Sequence, residues 1–237
     1  MERETWLAYS GIDVLDVAQA VASRRSVRAF LDTPVDPEVL HRVLARAQRS
    51  PSGSNVQPWH AVVLTGEPFA RLKAAVAAVF GQGRAAHSIP FDIHPPEIDG
   101  VFKQRLLGVG EALYAALGIP REDKPARLRQ YFANCEAFGA PVLMLVHTPG
   151  YMGPPQWADM GMWLQTVMLL LREEGLDSCP QLSWANYTAE VRDCVSIPED
   201  HVFYCGMAIG TRDPDAAVNQ FEVARAPLAD VVRFEGF

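Results

Sequence analysis

The chain of 237 residues lacks the signatures of the commonest cofactor and metal sites. It has no G-x-G-x-x-G and no G-x-x-x-x-G-K-[ST], so neither a dinucleotide-binding turn nor a P-loop is available to it. H-E-x-x-H and G-x-S-x-G are also missing. Cysteine is scarce: Cys135, Cys179, Cys194 and Cys205 are all there is, and no two form a C-x-x-C pair. Zinc and a disulfide framework are therefore not expected, and the four read as structural free thiols. No metal site is read anywhere. No apolar run reaches the roughly 20 residues that a bilayer requires. The most apolar stretch, Trp157 to Leu171, contains Asp159 and Gln165 and reads as a helix buried nearly all round.

Positive charge is also in short supply. With 21 Lys and Arg against 28 Asp and Glu the formal charge is −7, and no basic stripe is visible. Nucleic acid, whose binding requires clustered cations to displace counterions, is not an expected partner. The opening "MERETWLAYSGIDVLD" carries charges where an export signal needs an apolar segment, so a cytoplasmic location is expected. Neither repeats nor low-complexity segments occur.

What is present is a mixture of helical and extended patterns. Helical spacing runs from Val14 to Ala22. A second helix is announced by "DPEVLHRVLARAQRS", with Asp36 as N-cap, Pro37 at the first helical position and Glu38 in the first turn. Further helices are expected over 67–80, 101–117, 121–135, 155–174 and 188–194. Strands are expected over His60 to Leu64, Pro141 to Val146 and Val202 to Ile209, and "DVVRFEGF" at the C-terminus is strand-like. "GLDSCPQLSW" is left without a regular element. Ala85 to Gly100, rich in Pro and His, reads as a long loop or arm of the kind that is functional or mobile. The pattern is that of a helix-flanked sheet, α+β or α/β. The apolar tail after Gly210 must pack on something, and a second subunit is the natural candidate.

Two local constellations carry chemistry. In "SRRSVRAF", Arg24, Arg25 and Arg28 are interleaved with Ser23 and Ser26, so guanidinium forks, hydroxyls and loop N–H groups could hold a phosphate. The same residues could be a solvated turn whose cations complement a helix C-terminus. In "SPSGSNVQPWH", small hydroxyl residues and amides crowd the entry to an apolar strand, a surplus of donors beside an aromatic ring. Of the six histidines, His87 and His94 lie in the arm, and His41, His60, His147 and His201 lie in or beside regular elements. Each reads as a surface or satisfied core residue rather than a general base. A chain with a phosphate cradle and no evident acid–base apparatus leaves the difficult chemistry to a cofactor.

The ordered succession "SRRSVRAF", "RSPSGSNVQPWHAVVL" and "CGMAIGTRDPDAAVNQFEVARAPL" resembles the FMN-dependent nitroreductase family, in particular its nitrobenzoate-reductase-like bacterial branch. The resemblance runs from about Val17 to the C-terminus. It implies one nitroreductase-like α+β domain over 1–237, with a central, mainly antiparallel sheet flanked by helices. A variable arm would span about 85–118, and a tail of about 210–237 would embrace the partner in an intertwined homodimer. It further implies FMN at the subunit interface and NADPH or NADH as donor. Hydride would pass in a ping-pong cycle to a small-molecule acceptor such as a nitroaromatic, quinone or activated alkene. Other chemistry on this fold, namely reductive dehalogenation, flavin fragmentation or FMN binding without turnover, stands as the alternative.

Carried over residue by residue, the resemblance assigns Arg24, Arg25 and Ser26 to the phosphate and ribityl chain, and Arg28 to the pyrimidine end of the flavin. There a cation stabilises the negative charge of the reduced ring. Pro51, Ser52, Gly53 and Asn55 match the loop lent by the other subunit, with Gly53 permitting close backbone approach. Pro180, Gln181, Leu182 and Ser183 match the segment along the isoalloxazine edge, and Arg225 matches a phosphate-binding arginine. Phe91, Phe102, Lys103 and Arg105 are candidates for lining the substrate side. Trp157, Trp163 and Trp184 are placed in the core rather than at the flavin. One departure stands out: the family's N-x-x-R-x-x-R reads Asn219-Gln-Phe-Glu222-Val-Ala-Arg225 here. An acid thus replaces the first arginine.

Overall fold

The structure, a computed structural model, describes residues 16–82 and 90–237. Part of the arm, including His87, lies outside the described residues, as do Val14 and Leu15. Local capping fixes the first elements. Helix α1 (Val17–Ser23) opens with a reciprocal capping box between Asp16 and Gln19, and α2 (Pro37–Ala47) with Asp36 accepting the Glu38 N–H at 2.9 Å. Strand β1 (His60–Leu64) leads into α3 (Gly66–Val79). Beyond the arm come α4 (Gly100–Ala116) and α5 (Lys124–Phe132). The latter is shorter than the 121–135 expected, because Asp123 caps it by accepting the Ala126 N–H.

Strand β2 (Val142–Pro149), helix α6 (Pro154–Glu173), strand β3 (Asp177–Gln181), helix α7 (Thr188–Cys194) and strand β4 (His201–Gly210) complete the framework. Each neighbouring pair in the sheet, order β1-β2-β4-β3, is antiparallel. The sheet is buried on both faces through β2. Leu143 and Leu145 join Phe69, Leu72 and Val76 of α3 and Val191 of α7 on one side. Val142, Met144 and Val146 meet Val43 and Ala47 of α2 and Met160, Trp163 and Leu171 of α6 on the other. Each large apolar side chain so buried contributes about 1.5–3 kcal/mol.

Three expectations are corrected. "DSCPQ" is a strand: β3 pairs only with β4 as a regular strand, and an edge tolerates Pro180, which has no N–H to donate. Among the described residues "DVVRFEGF" forms no strand, having no ladder partner. A short 3-10 turn (Leu228–Asp230) takes in its first residue, and Val231, Val232 and Phe234 stay exposed. Helix α6 is buried along one broad face rather than all round, since Met162 is exposed. All four cysteines are free. Burial pushes the Cys179 and Cys205 thiols up to about 11 and about 12, which keeps both protonated and inert. No helix among the described residues is long and apolar enough to cross a membrane.

Candidate functional site

The chain leaves α1 at Ser23 and runs beside the free edge of β3. Ser26 bridges Ser178 in parallel, and the Val27 N–H donates to the Ser178 carbonyl at 3.2 Å. A buried ion triad pins the start of this loop. Asp177 of β3 accepts two 2.8 Å hydrogen bonds from Arg212 and lies 3.0 Å from Arg172 of α6. Both guanidinium groups then reach Ser23: Arg172 donates to its hydroxyl and Arg212 to its carbonyl. The end of the loop is held by Asn219, buried in the tail. Its Oδ1 accepts the Arg28 N–H at 2.9 Å, and its amide donates to the carbonyls of Ala29 and Asp213.

Between these two anchors lies a cavity of about 550 Å³, lined by Arg24, Arg25, Ser26, Arg28 and, from the tail, Glu222 and Arg225. Val109 of α4 and Gln165 of α6 also contribute to its wall. The Arg28 guanidinium donates to the Ser26 carbonyl at 3.2 Å. Arg28 and Arg24 also act on Cys179 beneath, where their charge partly opposes the upward push of burial. Among the described lining residues four cations face one carboxylate, so the cavity suits an anion.

A second cavity of about 830 Å³ begins at the other end of β3. Pro180, Gln181, Leu182 and Ser183 form one wall, with Asn134, Tyr131 and Tyr187 beside them and Ile93, His94 and Pro96 of the arm opposite. Gln181 is buried and fully engaged. It donates to the Asn134 carbonyl at 3.0 Å and accepts from the Trp184 indole at 3.2 Å. Trp184 in turn lies over Gly206 of β4, where a Cβ would stand 2.5 Å from the indole ring. Burial raises the pKa of both Tyr131 and Tyr187, so these phenols act as neutral hydrogen-bonding groups.

The loop 51–57 lines neither cavity. Its backbone is nevertheless tightly specified. Ser54, Asn55 and Gln57 adopt φ of 49°, 58° and 51°, a left-handed region that costs a non-glycine residue about 1 kcal/mol or more. Compensating contacts hold it. The Gly53 N–H is shared between both carboxylate oxygens of buried Asp159 at 3.2 Å, and the Gln57 N–H donates to Ser52 Oγ at 3.0 Å. Trp59 stacks on Trp163 at 6.0 Å, and Thr148 donates to the Pro58 carbonyl. Pro51, Gly53 and Asn55 remain exposed, so a rigid, donor-rich loop is presented outward.

The substrate candidates are dispersed. Phe91 packs edge-on against Trp157 at 5.2 Å and beside Tyr204. Phe102, Lys103 and Arg105 lie on the exposed side of α4, with Arg105 over the Phe102 ring. All four are outside both cavities. Trp163 and Trp184 are core residues and Trp157 is half-buried. Sequence reasoning missed Asp177, Arg172, Arg212, Asp159 and the anchoring role of Asn219. A carboxylate inside an otherwise strand-like stretch was the available signal for Asp177.

It also missed a histidine cluster, because the β1–β2 register that places His60 opposite His147 is not visible in the sequence. His147 Nδ1 lies 2.8 Å from His201 Nδ1, and His60 packs against both rings. Burial and the neighbouring His201, His60 and Arg192 lower the His147 pKa to about 4. Among the described residues no group of His, Cys, Asp or Glu is arranged to hold a metal ion.

The sequence model of the Nitroreductase family matches residues 21–211. The chain belongs to this family. Within it, the chain is 34% identical over 223 residues to a 4-nitrobenzoate reductase of Pseudomonas putida, covering 94% of this chain and 96% of the relative. It is 33% identical over 224 residues to nitroreductase NfnB of Mycolicibacterium smegmatis, with 93% and 94% covered. Among solved structures, an FMN- and NADPH-dependent nitroreductase NfnB from Sphigopyxis sp. strain HMH superposes with a TM-score of 0.92 at 50% identity, covering 94% of this chain and 100% of the other. FMN-dependent NfnB from Mycobacterium smegmatis in complex with NADPH gives 0.87 at 32% identity, with 93% and 100% covered. The nitroreductase fold, α+β with an antiparallel sheet, is thereby established for this chain.

Proposed function

We propose that this nitroreductase-family protein is an FMN-dependent NAD(P)H oxidoreductase that reduces nitroaromatics, quinones or related electrophilic small molecules. The observation that carries the reading is the arginine-lined cavity beside β3. Its four cations, one of them, Arg28, fixed through Ser26 and Asn219, fit a flavin phosphate by charge and by donor geometry. Arg24, Arg25, Ser26 and Arg225 would hold the phosphate and ribityl chain. Arg28 would face the pyrimidine end, where a preorganised cation favours the reduced form. Pro180, Gln181, Leu182 and Ser183, held by Trp184 and Asn134, would run along the flavin edge and bound the space open to nicotinamide and acceptor.

FMN, held by Arg24, Arg25, Ser26, Arg28 and Arg225, would supply the two-electron hydride chemistry that no side-chain constellation among the described residues provides. The protein's part is to grip, orient and polarise. Pro51, Ser52, Gly53 and Asn55 would complete the site of a second subunit in a homodimer. Their outward display on a strained, rigid loop supports that role. So do the exposed Val231, Val232 and Phe234 of the tail and Val101, Phe102 and Leu107 of α4, an apolar surface of the kind subunit contacts cover.

Anaerobic addition of NADPH or NADH to the FMN-loaded protein tests the whole reading. Rapid bleaching of the yellow flavin, followed by its return on addition of a nitroaromatic or quinone, is the expected result. A flavin that neither nicotinamide reduces would leave a binding protein without turnover.

A further inference from the structure

The phosphate cradle contains an acid that its own charge logic does not call for. Glu222 lines the arginine-rich cavity and places its Oε1 3.7 Å from Arg25 Nη2. The same guanidinium approaches the Asn219 carbonyl with Nη1 at 3.5 Å. Asn219 is itself locked by hydrogen bonds to Arg28, Ala29 and Asp213. Glu222 follows it by three residues, so the carboxylate is delivered to Arg25 from a fixed anchor rather than from a wandering tail.

An exposed carboxylate facing a guanidinium in a cavity built for an anion occupies the role that the anion itself would take. We propose that Glu222 is a built-in placeholder for the flavin phosphate. It neutralises Arg25 while the cavity is empty and must surrender that guanidinium when a phosphate enters. Phosphate capture by this chain is therefore a competition, and Glu222 lowers the preference for phosphorylated over unphosphorylated flavin. The inference rests on the FMN reading of this cavity.

The magnitude follows from the exposure of the pair. Glu222 is 88% exposed and Arg25 39%, and solvent-exposed ion pairs are worth a factor of roughly 1.4 to 5 in an equilibrium. Removing the competitor should tighten FMN by about that factor, with relief of carboxylate–phosphate repulsion acting in the same direction. Riboflavin, which has no phosphate, should not respond. Being exposed, position 222 is replaceable without harm to the core.

The test is a fluorescence-quenching titration of the full-length chain, freed of flavin, with FMN and with riboflavin. It compares the wild type with Glu222→Gln, Arg25→Gln and the double variant. The expected result is tighter FMN binding by Glu222→Gln, unchanged riboflavin binding, and loss of the gain when Arg25 is also replaced. Unchanged FMN affinity in Glu222→Gln, or an equal shift for both flavins, overturns the proposal while leaving the FMN reading intact. A wild-type protein that binds FMN no better than an unrelated globular protein overturns both.

Discussion

The most demanding prediction concerns Asp177, which no part of the proposed chemistry touches. Its side chain is 3% exposed and is the counter-charge for two guanidinium groups, Arg212 at 2.8 Å and Arg172 at 3.0 Å, whose side chains are 27% and 15% exposed. In Asp177→Asn the shape is nearly kept but the charge is lost, and the new amide N–H groups point at donors that need an acceptor. Breaking a buried pair from one side costs about 3–5 kcal/mol, because the remaining charge stays desolvated. For a chain of this size each kcal/mol moves Tm by about 2–4 °C, so even the lower bound predicts a fall of about 6–12 °C by calorimetry. A second effect is specific to the site. Both arginines also hold Ser23, so the loop Ser23 to Arg28 loses its first anchor. The extra stability conferred by FMN, about 2.7 kcal/mol at a hundredfold excess over Kd, should shrink with the weakened affinity. A variant that melts within about 1 kcal/mol of the wild type refutes the energetic reasoning. One that melts early yet keeps its FMN affinity refutes the claim that the triad positions the cradle.

Two further predictions address the sheet. Gly206→Ala would drive a Cβ to 2.5 Å from the Trp184 ring and 3.1 Å from Leu143; displacement of Trp184 should cost about 1–3 kcal/mol in urea unfolding and disturb its hydrogen bond to Gln181, and wild-type stability would show that the indole gives way freely. His147, with its pKa lowered to about 4 against 6.5 in the unfolded chain, takes up its proton first on unfolding as pH falls. Its contribution, at most about 3 kcal/mol, is therefore complete above about pH 6.5, declines toward about pH 4 and is flat below; His147→Gln should flatten that slope, and an unchanged slope would assign it to other groups.

The sequence was most legible where one residue type decides a local geometry. Asp36-Pro37 starts α2 in the structure as in the pattern, because a cap and a preset φ act within four residues. His60 to Leu64 and Thr188 to Cys194 match their elements residue for residue. β3 was illegible for the opposite reason. Its strand character comes from the β4 ladder and from Ser26 on its far side, both non-local, while Asp177 and Pro180 argue locally against it. The candidate site divides in the same way. The arginines of "SRRSVRAF" suggested an anion site by composition and Arg225 joined them only through the family resemblance, yet what makes them a cavity is Asp177, Arg172, Arg212 and Asn219, drawn from β3, α6 and the tail.

That division has a physical basis. Groups that touch a ligand must be chemically conspicuous, since charge and donor geometry are what the ligand reads. Groups that hold them need only be buried and satisfied, and a buried Asp or Asn has many possible partners until the topology selects one. In this protein the selection runs through β3, which carries Asp177, the anchor of the arginine loop, at one end and Gln181, bonded to Asn134 in the wall of the second cavity, at the other. A five-residue strand thus sets the spacing between the two cavities. A substitution that shifts its register by one residue would turn both anchors to the opposite face at once.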